Sequence, residues 1–164
     1  MLKSTSVSYE TKDLGKSKIK KDLRDLHKFA ALVGIPSTAP VPIDKDTHKP
    51  LGINMASLAL VHELGSAANN IPARPFMRQT RERMQNRFMR LLRGAYKQVL
   101  AGKVHPYHAL SRLGVAYEGE MKNTFTIGSF TPNKPATIAR KGSSRPLIDT
   151  GRMRQSIVSK VVKV

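Results

Sequence analysis

Two long stretches in the second half of the chain repeat apolar residues at the spacing of an amphipathic helix. The first runs from Met77 to Val99 and stops at Gly102, and the second begins at Pro106 and runs to Phe125. Because the connection between the two is short, the pattern predicts antiparallel neighbours that form a helical hairpin. This hairpin is the element that the rest of the chain has to pack against.

A proline-rich corner precedes the first long helix. Residues 70–78 have the sequence NIPARPFMR, in which Pro72 and Pro75 fix the backbone just before the helix begins. Upstream, Asn54 and Gly65 are suited to the two ends of a short apolar helix over residues 55–64. The corner therefore predicts a rigid entry that sets the direction of the long helix.

Strands are predicted near both termini. Residues 4–10 alternate polar and apolar side chains, and residues 156–164 are rich in Val and Ile. Apolar residues at spacings of four and three from Ile19 to Val33 predict an amphipathic helix that ends at Gly34. Residues 36–53 and 128–147 are interpreted as exposed loops or arms of a single domain, 1–164. The predicted fold class is α+β, with a small, mainly antiparallel sheet packed against the hairpin.

The composition limits the classes of function. The 164-residue chain has 29 Lys+Arg against 11 Asp+Glu, a formal net charge of +18, which favours an acidic partner surface or nucleic acid over a freely diffusing metabolic enzyme. The absence of cysteine excludes disulfides, thiolate zinc sites and cysteine catalysis. No apolar run has the length of a membrane span and the N-terminus lacks the pattern of a signal peptide, so we expect no membrane partner.

A stripe of positive charge follows one face of the first long helix. It consists of Arg83, Arg87, Arg90 and Lys97, at spacings of four, three and seven. Glu82 is the only acid in that helix, so the stripe is not neutralised from within it. The four residues are a candidate contact for acidic protein or DNA phosphate, and a solvated helix face is the alternative.

Two histidine patterns were compared with metal sites. His62 and Glu63 begin like the zinc-protease pattern H-E-x-x-H, but Ser66 stands where the second histidine would be. His105 and His108 are close in sequence, but the sequence offers no third ligand, which favours a helix cap or a surface role. We therefore predict no metal site.

The run Asp149-Thr150-Gly151 has the D-T-G sequence of aspartic proteases. That chemistry needs two carboxylates that share a proton, and too few residues follow the motif to complete such a fold. The simpler interpretation is local: Asp149 caps the turn that begins at Arg152, and Gly151 permits a tight bend. No glycine-rich nucleotide motif is present, so we predict a non-enzyme without catalytic residues or cofactors.

Two segments resemble the signature of tailed-bacteriophage neck and tail completion proteins, a family that includes minor tail, virion morphogenesis and head–tail joining proteins. The first segment is ALVHELG at residues 59–65 followed by IPARPFMR at 71–78, and the second is TIARKGSSRPLIDTGRMRQSI at 137–157. Leu64 and Met153 depart mildly from the family pattern. On this resemblance, the residues that form the architectural motif are Ile71, Pro72, Arg74, Pro75, Phe76, Pro146, Asp149, Thr150 and Gly151.

The resemblance implies a structural virion protein, made in the cytoplasm of the bacterial host, that forms a ring, usually sixfold, at the head–tail junction. Its partners would be further copies of itself, head-side connector or stopper proteins, and tail terminator or tail tube proteins. The basic residues would face DNA in the channel or dock onto acidic faces of neighbouring rings. The alternatives from other classes are a basic nucleic-acid-binding protein and, third, an aspartic peptidase.

Overall fold

The structure is a computed structural model that describes residues 15–44 and 47–164. Within these residues the chain forms six helices and two strands, a mixed architecture that confirms the predicted α+β class. In chain order the elements are α1 (Lys16–Leu26), β1 (Phe29–Gly34), α2 (Met55–Leu64), α3 (Phe76–Leu100), α4 (Pro106–Ile127), α5 (Pro135–Lys141), α6 (Arg152–Gln155) and β2 (Val158–Lys163).

The sheet joins the two ends of the described chain. β1 and β2 are antiparallel, with Phe29 opposite Lys163 and Gly34 opposite Val158. The sheet packs on α4, where a Cβ on Gly114 would lie 3.2 Å from the Cβ of Ser159. A side chain at position 114 would therefore push the strand and the helix apart.

The first predicted helix is too long, because the chain changes from helix to strand soon after residue 26. The helix expected from Ile19 to Val33 ends at Leu26, and β1 begins at Phe29. Ala30 and Val33 keep helical spacing, but they belong to a strand whose hydrogen bonds go to β2, a partner that local periodicity cannot reveal. The strand predicted over residues 156–164 is confirmed as β2, whereas the strand predicted over residues 4–10 lies outside the described residues.

The predicted helical hairpin is confirmed as α3 and α4. At the closed end of the hairpin, His105 caps the N-terminus of α4, and its Nδ1 accepts a hydrogen bond of 3.2 Å from the backbone N–H of Tyr107. At its open end the rings of Phe76 and Phe125 pack with centroids 4.8 Å apart. This aromatic contact fixes the start of α3 against the end of α4.

The main hydrophobic core lies at the open end of the hairpin, where α2, α6 and the start of β2 meet α3 and α4. Its buried members are Met55, Ala59, Phe76, Met121, Phe125, Leu147, Met153 and Ile157. The corner before α3 and the segment before α6 both contribute to this one core, so the two segments of the sequence resemblance pack together.

Residues 128–147 are more structured than the sequence suggested. They contain α5, which starts with Pro135 and ends at Gly142 in the left-handed conformation, and they include the buried residues Asn133 and Leu147. Residues 36–44 and 47–53 are mostly exposed, with an isolated antiparallel bridge between Ile43 and Pro50. Among the described helices, none combines the length and the apolarity needed to cross a membrane.

Candidate functional site

The corner before α3 doubles back along the end of α2. The backbone N–H of Ser66 donates to the carbonyl of Ile71 at 2.8 Å, and the N–H of Ile71 donates to the carbonyl of Ser66 at 2.9 Å. Further on, the N–H of Arg74 donates to the carbonyl of His62 at 2.7 Å. The chain from Ile71 to Arg74 is therefore held by backbone hydrogen bonds before Pro75 starts the helix.

Glu63 caps the start of α3 from the neighbouring helix. Pro75 occupies the N-cap position and offers no side-chain acceptor. The two carboxylate oxygens of Glu63 accept hydrogen bonds from the backbone N–H groups of Met77, at 2.8 Å, and Arg78, at 3.0 Å. A negative charge at a helix N-terminus also interacts favourably with the helix dipole. In the sequence, Glu63 stands out only as part of an incomplete zinc-protease motif, and its role as a cap depends on the fold.

Arg74 connects the corner to the segment around α5. Its side chain is buried, with 7% of its surface exposed, and donates to the carbonyl of Thr131 at 2.9 Å and to Oδ1 of Asn133 at 3.1 Å. The Nδ2 of Asn133 donates to the carbonyls of Ser144 and Arg145 at 3.3 and 3.1 Å. Burial lowers the pKa of Arg74, but an arginine stays charged at neutral pH. Arg74 is therefore an internal connector and not a surface contact.

The second motif segment forms the turn into α6. Pro146 precedes Leu147, which is buried and has a φ of 61°. Gly151 is the N-cap of α6 with a φ of 74°, as a tight bend requires. The capping of this turn by Asp149 stays a prediction, since the N-cap position of α6 is Gly151 itself. A glycine at the cap position leaves the cap without a side chain of its own.

The two motif segments meet around an open cleft of about 230 Å³. Its lining combines polar and charged side chains from α2, the corner, α5 and the turn before α6 with apolar side chains. The polar and charged lining residues are His62, Arg74, Asn133, Thr137, Arg140, Lys141, Asp149, Thr150 and Arg152. The apolar lining residues include Ile43, Leu51, Met55, Leu58, Leu147 and Met153.

His62 is the titratable group that the cleft affects most. Burial, together with the positive charges of Arg74 and Lys141, lowers its pKa to about 4. Its Nδ1 is buried and has no hydrogen-bond partner among the described residues. At neutral pH the imidazole is therefore uncharged, and its buried Nδ1 could form a hydrogen bond with a ligand.

The predicted basic stripe on α3 divides into two parts. Arg83 hydrogen-bonds to Glu120 on α4 and, at 3.2 Å, to Oγ1 of Thr124. Arg87 lies 3.5 Å from the other carboxylate oxygen of Glu120. The acid near this half of the stripe thus comes from the neighbouring helix, and the hydrogen bond of Arg83 to Glu120 holds α3 against α4.

Arg90 and Lys97 form the exposed half of the stripe. Both side chains are exposed, and neither makes a hydrogen bond or ion pair with another described residue. Of the four stripe residues, these two are the ones that remain available for an acidic partner. No group of three or more acidic or histidine side chains within the described residues has the geometry to hold a metal ion.

Comparisons of the chain with protein families, with curated proteins and with solved structures found no match. The resemblance to neck and tail completion proteins therefore depends on the two sequence segments, which the fold brings together at one junction.

Proposed function

We propose that this chain is a structural protein of a tailed-bacteriophage virion, a tail completion or neck protein that forms a ring at the head–tail junction and joins the tail to the head. It acts by position within an assembly and carries out no catalysis. Its partners are other copies of itself, a head-side connector or stopper protein, and a tail terminator or tail tube protein.

The observation that carries this proposal is the junction between the two motif segments. Residues 59–78 and 137–157 are far apart in sequence, yet both segments bury side chains in the same core. Arg74 of the first segment bonds to Asn133, which in turn donates to the carbonyls of Ser144 and Arg145 in the second. Phe76 and Ile157, one from each segment, are both fully buried. The motif residues thus have an architectural use together, as expected if they define a building block of an assembly and not a reaction centre.

The surface supports an assembly role. Large apolar side chains are exposed on several elements, among them Leu32 at 56%, Leu64 at 69% and Val115 at 60% of their surface. β1 and β2 pair only with each other within the described residues, so the outer edge of each strand has no partner strand among them. Exposed apolar groups and open strand edges are typical of surfaces that another chain covers.

The test is a phage in which the gene for this chain is disrupted. The proposal predicts unjoined heads and tails, or defective tails, with joined particles restored when the chain is supplied from a plasmid. Infectious virions produced in normal yield without the chain would contradict it.

A basic nucleic-acid-binding protein is the second candidate, because the net charge is +18 and the exposed half of the stripe has no partner among the residues that the structure describes. This function predicts tight DNA binding by the isolated chain, with a slope of about 0.9 in log Kd against log salt for each phosphate contact. Arg90→Ala with Lys97→Ala would then weaken binding and reduce the slope. The first proposal predicts no tight binding by the isolated chain at physiological salt.

A further inference from the structure

The cleft between the motif segments contains polar groups that the fold does not use. The guanidinium groups of Arg140 on α5 and Arg152 on α6 make no hydrogen bond or ion pair with any other described residue. The same is true of the hydroxyl groups of Thr137 and Thr150. Four donor groups of the second motif segment, two on α5 and two at the start of α6, therefore line one cleft without a partner among the described residues.

The interior of the cleft adds a fifth group. His62 lines the cleft, its Nδ1 is buried without a partner among the described residues, and the imidazole is neutral at physiological pH. In the tautomer with its proton on Nδ1, the ring can donate one hydrogen bond without adding another positive charge. A buried polar atom that lacks a partner costs free energy, and a ligand with an oxygen acceptor would remove that cost.

The charges around the cleft favour an anion. Arg74, Arg140, Lys141 and Arg152 line it, and among the described lining residues Asp149 is the one acid. Lys141 and Asp149 have interactions of their own, and Arg74 is hydrogen-bonded to the segment before α5. The case for an anion therefore depends on Arg140 and Arg152, which can each bind a carboxylate oxygen by a charge-assisted hydrogen bond.

The apolar side chains in the lining limit the kinds of anion that fit the cleft. Ile43, Leu51 and Met153 lie in the same cleft as the cationic groups. Its volume of about 230 Å³ is below the range of about 300–1,000 Å³ for drug-sized ligands. A nucleic-acid backbone would place charged phosphates against this apolar lining, which is unfavourable. An acidic side chain with apolar neighbours matches both parts of the cleft.

We propose that this cleft is a docking site for a protein carboxylate, an Asp or Glu side chain flanked by apolar residues on another chain. The site is formed within one chain, so this proposal stands or falls independently of the ring and of the virion role.

The experiment is an NMR titration of the full chain labelled at its methionine methyl groups. Met55 and Met153 line the cleft, whereas Met84 and Met89 lie on α3 outside it and serve as internal references. The probes are the capped peptide acetyl-Leu-Glu-Leu-amide, its neutral match acetyl-Leu-Gln-Leu-amide, and sodium phosphate. The methyl spectrum also reports whether each variant is folded.

We expect the glutamate peptide to shift the methyl signals of Met55 and Met153 and to bind at least about tenfold more tightly than the glutamine peptide. Arg140→Ala with Arg152→Ala should remove most of this difference. The matched control, Arg90→Ala with Lys97→Ala, removes the same charge from α3 and should leave the affinity nearly unchanged.

Three results would overturn the proposal. Equal affinity for the two peptides would show that the cleft selects apolar side chains only. Binding of phosphate without binding of the glutamate peptide would identify a small-anion site instead. An absence of shifts at Met55 and Met153 in the folded protein would show that the cleft takes no carboxylate.

Discussion

The carboxylate of Glu63, in the last turn of α2, accepts a hydrogen bond of 2.8 Å from the backbone N–H of Met77, in the first turn of α3. One side chain thus links two helices. It also provides an acceptor for the free backbone N–H groups at the start of a helix whose own cap residue, Pro75, offers none. The direction of the long helix depends on this contact as well as on the stiffness of the proline corner.

The first prediction concerns this cap. Glu63→Ala removes the acceptor for two backbone N–H groups at the start of α3, and it should lower the free energy of unfolding by about 1–2 kcal/mol. Glu82→Ala is the matched control, because Glu82 is exposed on the same helix and bonds to no described side chain. Urea denaturation should show a change below about 0.5 kcal/mol for the control. Equal effects of the two substitutions would refute the capping role.

The second prediction concerns the glycine that ends α2. Gly65 has φ 79° and ψ 174°, and a Cβ there would lie 2.8 Å from the backbone nitrogen of Ala73. Gly65→Ala should therefore cost about 3 kcal/mol, from backbone strain and from the displaced corner. Gly94→Ala, within α3 and open to solvent, should instead stabilise the protein by up to about 1 kcal/mol. Thermal denaturation of both variants tests the contrast, and a harmless Gly65→Ala would contradict the close approach.

The third prediction separates the two arginines that contact Glu120. A double-mutant cycle between Arg83 and Glu120 should give a coupling free energy of about 1 kcal/mol, because the carboxylate side chain is only 15% exposed. The side chain of Arg87 is 60% exposed and lies 3.5 Å from the acid, so its cycle should give a value near zero. If both cycles gave the same coupling, the predicted difference between the Arg83 and Arg87 contacts with Glu120 would be wrong.

The fourth prediction concerns pH. The pKa of His62 is lowered to about 4 in the folded chain, below the ordinary value of 6.5, so the unfolded chain binds more protons between these two pH values. Stability from this group is complete above about pH 6.5 and falls as the pH decreases toward 4, by up to about 3 kcal/mol. His62→Gln should therefore lose less stability than the wild type between pH 7 and pH 4. Parallel pH profiles of the two proteins would contradict the buried, neutral histidine.

The parts of the fold predicted from the sequence were those with local signals. The hairpin followed from periodicity, α2 from Asn54 and Gly65 at its ends, and α4 from Pro106 in its first turn. The boundary between α1 and β1 was missed because Ala30 and Val33 preserve helical spacing while their hydrogen-bond partners lie at the other end of the chain.

The features of the candidate site that were missed depend on non-local contacts. Glu63 and Glu120 act on a helix other than their own, so no spacing rule within α3 could identify them. α5 had a local signal, Pro135 at its start and Gly142 at its end, but both residues were interpreted as loop markers. The cleft forms only when segments far apart in sequence come together, and Arg140 and Arg152 look like ordinary surface charge in the sequence.

The most direct test of the proposed function is cryo-electron microscopy of assembled phage particles that contain this chain with a density label on an exposed loop. The proposal predicts labelled copies arranged as a closed ring at the junction between head and tail. Label found elsewhere in the particle, or particles with a complete head–tail junction and no label, would contradict it.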